Sequence, residues 1–326
     1  MLLAGDIGGT KTLIGLFDRQ PSRPRPLAVR AFGSLDYHDL PPMLDEFMRD
    51  DGVKGQRIEA ACFGVAGPVI GAAAKPTNVP WTVDAHAAAA ALRVSRVSLL
   101  NDLEAMAYSV PVLQESEVHV LQPGEPEPGR NMALIAAGTG LGEALLHNVG
   151  GRFIPSASEG GHADFAARTE REITLLRALT ARYGRVDVER VVSGHGLLNI
   201  YPVAHRQPCT AGIDLDEPDA PAMISAAALA HRCAGCVETL ELFVEAYGAE
   251  AGNLALRGVA TGGVFVGGGI APKILPALLT GAFVTAFRAK PPLDGMLSRI
   301  PVKVILNAEA GLLGAAVFAA RAHAEP

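Results

Sequence analysis

Residues Gly5 to Thr12, GDIGGTKT, set an aspartate, three glycines and a lysine between two apolar runs. The spacing comes within one residue of G-x-x-x-x-G-K-[ST], with Thr10 where that pattern has its second glycine. A P-loop lysine is followed by a helix, whereas Lys11 is followed by TLIGLFD, whose β-branched and apolar residues continue as a strand. The stretch therefore reads as a glycine hairpin. Gly8, Gly9, Thr10 and Lys11 can turn several backbone N–H groups toward one anion, and the missing Cβ atoms let a phosphate come close. Asp6, ending the first strand, is placed to hold a hydrated Mg2+ beside such oxygens. A plain tight turn capped by Asp6 is the competing reading, which one hairpin alone would not displace.

Two further glycine clusters shift that balance. AAGTGLG, Ala136 to Gly142, offers a second nest of N–H groups at Gly138, Thr139 and Gly140, and GGVFVGGGIAPK sets Gly267, Gly268 and Gly269 between a strand and a helix. The G-x-G-x-G at Gly138 to Gly142 lacks the long helix and spaced acidic residue of a dinucleotide fingerprint.

These turns need strands to hold them. Runs at Leu2–Ile7, Thr12–Phe17 and Leu27–Phe32 predict an antiparallel meander with DRQPSRPRP as its second turn. Alternating segments follow: MLDEFMRD, IEAACFGVAG, VDAHAAAAALR, RVSLLND and LEAMAYSV, then the polar break QPGEPEPGRN. MALIAAGTGLGEALLHN repeats the opening design, so the chain reads as two related halves. Helices at Arg171–Tyr183 and Ala222–Tyr247, a strand in VATGGVFVGGG, a helix after Pro272, a strand VKVIL and a last helix GLLGAAVFAARAH complete an α/β pattern.

Composition narrows the function classes. With 326 residues, 49% of them hydrophobic, the chain can build a sizeable core and its length favours two domains. A net charge of −6 without a local basic patch speaks against nucleic acid and anionic membranes as partners. No apolar run reaches spanning length and no secretory leader pattern opens the chain, so a cytoplasmic location is expected. Cys62, Cys209, Cys233 and Cys236 are too few and too irregular for a disulfide framework. Cys233 and Cys236 form a C-x-x-C inside an Ala-rich helical run without a second pair, so core cysteines are expected rather than a zinc or redox site.

DIGGTKT, LLNDLEAMAYS, GTGLG, SEGGHADF, ERVVSGHG and GGVFVGGGIAPK stand in the order found in bacterial glucokinases, and the chain resembles that family over nearly its whole length. The resemblance implies an actin-like ATPase (ribonuclease H-like) α/β fold, two α/β domains around a central cleft. It implies a small domain of 1–110 plus 308–326 and a large one of 111–307. It further implies that the first two hairpins grip the phosphates of ATP while GGVFVGGG lies by the adenosine. Mg2+ is the implied cofactor, glucose the implied substrate and a homodimer the implied assembly, with the Ala222–Tyr247 helix a candidate contact.

Phosphoryl transfer to a sugar hydroxyl needs in-line positioning, charge neutralisation and a proton acceptor. In VSLLNDLEAMAYS a strand ends at Asn101 and Asp102 and a helix begins, which sets Asp102 as the candidate base, with a helix cap as its alternative. In the resembling glucokinases the matching Asn, Asp, Glu, His and Glu contact glucose, here Asn101, Asp102, Glu159, His162 and Glu189. Thr77 and Asn78 in AKPTNVPW are assigned a supporting role, because Lys75-Pro76 and Pro80 depart from the family's segment. Glu143 is unexpected directly after GTGLG, since a carboxylate beside phosphates is repelled. The cysteine-rich zinc motif of the related repressor/kinase group has no match. A kinase for another hexose or amino sugar, or a sugar sensor without catalysis, remains the alternative function.

Overall fold

The computed structural model describes residues 1–76 and 79–322, which fall into two compact units. The first comprises Met1–Gln114, Phe153–Ala157 and the described residues from Asn307; the second comprises Glu115–Arg152 and Ser158–Leu306. Segment Phe153–Ala157 thus groups with the first unit although it lies far along the chain.

In the first unit, strands Arg25–Gly33, Lys11–Asp18, Leu2–Ile7, Ala60–Val65 and Val97–Asn101 lie side by side in that order. The first three form the antiparallel meander, with Ile7 opposite Thr12. The last two run parallel to Leu2–Ile7, and the register aligns Ile7 with Val65 and Val65 with Asn101. Three parallel strands therefore end on one line, the carboxyl edge where open α/β sheets bind ligands.

Both faces of this sheet are covered, which explains why Leu2, Leu3 and Ala4 are all buried rather than alternating. Helices Leu40–Phe47 and Ala85–Leu92 pack on the face of Leu3, Ile7 and Phe63. Each begins at an aspartate: Asp39 accepts from the Leu40 N–H, and Asp84 accepts from the N–H groups of His86 and Ala87. The opposite face is closed by helices Asp102–Ser109 and Ala310–Ala322, which pack Ala105, Leu312, Leu313 and Ala316 against Leu2, Ala4 and Cys62.

The second unit repeats the design. Strands Met132–Ala137 and Leu141–Val149 form an antiparallel hairpin, and Gly263–Gly267 and then Val302–Ile305 add in parallel beside Met132–Ala137. Val118–Gln122 pairs antiparallel with Val302–Ile305. The 25-residue helix Ala234–Gly258 crosses this sheet, with 16 residues buried, so its apolar positions surround the axis rather than forming a stripe. Tyr247 on that helix is fully buried. Its hydroxyl accepts from the Ala137 N–H at 3.1 Å and lies 3.3 Å from the carbonyls of both Ile135 and Gly267.

The single helix expected over Ala222–Tyr247 is two helices, Ala220–Leu229 and Ala234–Gly258. His231 adopts φ 52° between them, and the N–H groups of His231 and Arg232 bond back to Ala228 and Ala227, closing the first helix. A left-handed turn at a residue other than glycine leaves no mark in an Ala-rich pattern. Cys233 is consequently the residue capping the second helix, not a residue within a continuous one. Helix Gly194–Ala204, with Pro202 inside it, was not anticipated either. Among the described residues no helix is long and apolar enough to cross a membrane.

The Tyr247 hydroxyl gives this unit a direct test. Tyr247→Phe leaves the buried Ala137 N–H without its acceptor and should cost about 1–3 kcal/mol of unfolding free energy. Chemical denaturation monitored by fluorescence measures it, and a change within error would mean that the strand end does not depend on the hydroxyl.

Candidate active site

The first hairpin is closed by the Gly8 N–H donating to the Lys11 carbonyl at 3.0 Å. Ser34, buried, braces it from the third strand: its N–H donates to Thr10 O at 3.0 Å and its hydroxyl donates to Gly8 O at 2.7 Å. Trp81 Nε1 donates to Ser34 O at 3.0 Å, so Trp81 is tied to the same brace. Thr77 and Asn78, expected to support the sugar site, lie outside the described residues.

Asn101 and Asp102 end the parallel strand and start a helix, as the sequence suggested, but the capping role belongs to Asn101. Its Oδ1 accepts from the N–H groups of Leu103 at 3.0 Å and Glu104 at 3.4 Å, and its Nδ2 donates to Gly67 O at 3.4 Å. Asp102 occupies the first helical position, where its Oδ1 accepts from its neighbour Leu103 N–H at 2.9 Å. Asp6 stands one residue before Ile7 on the adjoining strand line. Burial and the Asp102 charge push its carboxyl up to about 6, and Lys11 opposes them. Asp6, Lys11 and Asp102 therefore form one electrostatic group within the first unit.

The second unit assembles the other expected residues around its own hairpin. Gly138 N–H donates to Gly140 O at 2.8 Å, and Gly138 O accepts from Gly194 N–H at 2.8 Å at the start of helix Gly194–Ala204. That helix is capped by Ser193, whose hydroxyl accepts from Gly196 N–H at 2.9 Å, and His195 Nδ1 lies 3.3 Å from Thr139 O. A helix N-terminus against a glycine turn adds partial positive charge where an anion would sit. Gly268, at φ 81°, packs directly on the Ala137 carbonyl, and Ile270 N–H donates to that carbonyl at 3.3 Å. The cluster Gly267, Gly268 and Gly269 thus abuts the second hairpin.

Glu189 lies in a turn before helix Gly194–Ala204, and its Oε2 accepts from Leu141 N–H at 2.8 Å, directly after the hairpin. Glu189 N–H donates to Gly161 O at 2.8 Å and Val188 N–H to Ala163 O at 2.9 Å, which joins ERVVSGHG to SEGGHADF. Glu159 and His162 are exposed on that joined turn, His162 with its Nδ1 3.6 Å from Asp187 Oδ2. Asp187, Tyr183 and Arg190, which motif reading did not mark, help line a cavity of ≈ 530 Å³ with His162, Glu189 and His195.

Glu143 resolves its own puzzle. Its side chain is 1% exposed and packs against Gly160 of the SEGGH turn, 3.7 Å from Arg257 and beside Glu250. Burial and then the Glu250 charge push it up to about 8, with Arg257 opposing. It is thus a neutral strut at pH 7 rather than a charge offered to phosphates.

The chain is similar to known proteins over nearly its whole length. The glucokinase family profile matches residues 3–322. The chain is 40% identical to the glucokinase of Nostoc punctiforme, over 98% of this chain and 99% of that protein. The crystal structure of a glucokinase from an Antarctic psychrotroph superposes with a TM-score of 0.87 at 28% identity, covering 98% of each chain. A ROK family glucokinase from Streptomyces griseus, solved in complex with glucose and AMPPNP, shares the fold, with a TM-score of 0.65 at 20% identity over 98% of this chain and 99% of that one.

The raised Glu143 value carries a pH dependence whose sign is fixed. The folded state holds the proton from the ordinary 4.5 up to about 8, so this stabilisation is full below the lower value and lost as pH rises through the upper one. Glu143→Gln should keep the neutral form at all pH, raising Tm by several degrees relative to wild type above pH 8 and leaving it nearly unchanged near pH 5. An equal shift at both pH values would mean that Glu143 is ionised throughout. By its full-length match and by its fold, the chain belongs to the glucokinase family.

Proposed function

We propose that this protein transfers the γ-phosphoryl group of ATP to the 6-hydroxyl of glucose, giving glucose 6-phosphate and ADP. The observation that carries the reading is the full-length similarity to the Nostoc punctiforme glucokinase, 40% identical over 98% of the chain. The glucose and AMPPNP held by the Streptomyces griseus relative support the same substrate pair.

The sugar is held by Asn101, Asp102, Glu159, His162 and Glu189, with Thr77 and Asn78 supporting. Carboxylates and amides at fixed angles suit hydroxyls that each donate and accept. ATP phosphates are received by Gly8, Gly9, Thr10 and Lys11 on one hairpin and by Gly138, Thr139 and Gly140 on the other, and Gly267, Gly268 and Gly269 lie by the adenosine. The half-buried Asp6, pushed up by burial and by Asp102, fits a place for Mg2+ held through water, because a cation would relieve the crowding of two carboxylates. Bound there, Mg2+ supplies neutralisation of phosphate charge.

The 6-hydroxyl oxygen attacks the γ-phosphorus in line as the bond to the β-phosphate oxygen breaks, and Asp102 takes the hydroxyl proton late in transfer. Exclusion of water around the reacting groups keeps it from competing for the phosphoryl group. A homodimer in the cytoplasm completes the reading on family resemblance, and light scattering coupled to gel filtration checks the assembly.

A coupled assay with MgATP and glucose, mannose, fructose and N-acetylglucosamine in parallel tests the reaction. Glucose should be turned over preferentially. Preference for another sugar would reassign the substrate, and tight sugar binding without ATP consumption would make the chain a sensor. Asp102→Asn should cut kcat by about 10²–10⁴-fold while glucose binding, read by calorimetry, stays near wild type; near-normal turnover would reject Asp102 as the base.

A further inference from the structure

Four side chains that play no part in this reaction converge in the second unit. His205 ends helix Gly194–Ala204, Cys209 follows in an irregular segment, and Cys233 and Cys236 open helix Ala234–Gly258. One donor atom from each lies within 4.8 Å of all the others. Cys209 Sγ is 3.6 Å from Cys233 Sγ and 3.8 Å from Cys236 Sγ. His205 Nε2 is 3.4 Å from Cys233 Sγ and 3.9 Å from Cys236 Sγ. This departs from the expectation of isolated core cysteines, because the third thiol and the imidazole arrive from a different stretch of chain.

A tetrahedron around zinc, with Zn–S about 2.3 Å and Zn–N about 2.0–2.1 Å, has edges of about 3.8 Å between sulfurs and about 3.5 Å between sulfur and nitrogen. The four separations fall within about 0.4 Å of those edges, whereas a disulfide would need two sulfurs about 2.05 Å apart. We infer that His205, Cys209, Cys233 and Cys236 bind one structural zinc ion.

The surroundings fit. His205 Nδ1 lies 2.8 Å from Tyr201 O; donating its proton there leaves the Nε2 lone pair for a metal, the usual arrangement of a ligating histidine. The imidazole stacks on the Tyr201 ring with centroids 3.7 Å apart, which fixes its plane. Three sulfurs and one nitrogen complete four-coordination, so no position is left for substrate, and soft thiolates select zinc over magnesium.

The ion would act as a clip. Residues 205–219 form no helix or strand between Gly194–Ala204 and Ala220–Leu229, and two ligands from this segment joined to two at the head of Ala234–Gly258 would close it as a loop. This role is independent of the kinase reading, so the failure of either leaves the other standing.

Elemental analysis of the full-length protein, purified under reducing conditions without chelator, should find one zinc per chain that survives dialysis and is released when a mercurial blocks the thiols. Cys209→Ser and Cys236→Ser should lose the zinc and lower Tm, while Cys62→Ala, whose thiol is buried in the first unit, should keep the zinc whatever its effect on Tm. If the ligand variants fail to fold, wild-type protein grown with cobalt supplies the second readout: intense visible bands of tetrahedral thiolate-bound cobalt. Background zinc together with four freely titrating thiols and no such bands would overturn the assignment, as would a disulfide among these cysteines in the freshly purified protein.

Discussion

Two carboxylates at the carboxyl edge of one sheet set the terms for the first unit. Asp6 lies on one of the two strands that flank Ala60–Val65 in register, Asp102 directly follows the other, and the charge on Asp102 is one reason Asp6 is pushed up to about 6. Such crowding persists only where the backbone fixes both groups. The meander pins the Asp6 strand, the Ser34 brace pins its hairpin, and the Asn101 cap pins the helix that begins with Asp102. The two carboxylates are thereby held side by side by groups that are not themselves reactive.

The second unit uses the same strand pattern for a different end. Its hairpin carries no aspartate at the position matching Asp6, and its turn is held by backbone and side-chain partners instead: Gly194, Tyr247 and Glu189 each satisfy a group at or beside it. Glu189, a proposed sugar ligand, is also the acceptor for Leu141 N–H directly after this hairpin. Glu143 extends this coupling beneath the SEGGH turn as a neutral strut.

What was legible in the sequence is what is local. The hairpins, the strand-to-helix step at Asn101 and Asp102, and the glycine cluster before the turn at Gly268 each declare themselves within a dozen residues, because turn chemistry and strand periodicity are short-range signals. Tyr247, the Ser34 brace and the Glu143 strut were invisible, since each acts on a segment distant in the chain and nothing near it marks a partner. Ser193 shows the intermediate case. Serine before an apolar run is a helix-cap signal, and reading SGHG as a helix start would have found the N-terminus that meets Gly138. The split of Ala222–Tyr247 was lost because a positive φ at His231, a residue other than glycine, is uncommon and leaves no clear mark in the sequence, and with it went the position of Cys233 at a helix head.

The last helix shows how far the site's construction reaches. Gly311 lies so close to Asp6 that a Cβ there would fall 2.7 Å from its Oδ2, and the helix Ala310–Ala322 begins one residue earlier. The first turn of this helix thus packs directly on a carboxylate that burial and Asp102 push up to about 6. Glycine at this position is what permits the approach, and Gly314, where a Cβ would overlap the Ala105 carbonyl, keeps the same helix seated on the helix of Asp102. Lys11 pulls Asp6 toward its charged form, while burial and Asp102 push it toward the neutral one. The terminal helix, hundreds of residues from the first hairpin in sequence, therefore shapes the surroundings of Asp6 by packing, and any bulk at Gly311 would displace the carboxylate.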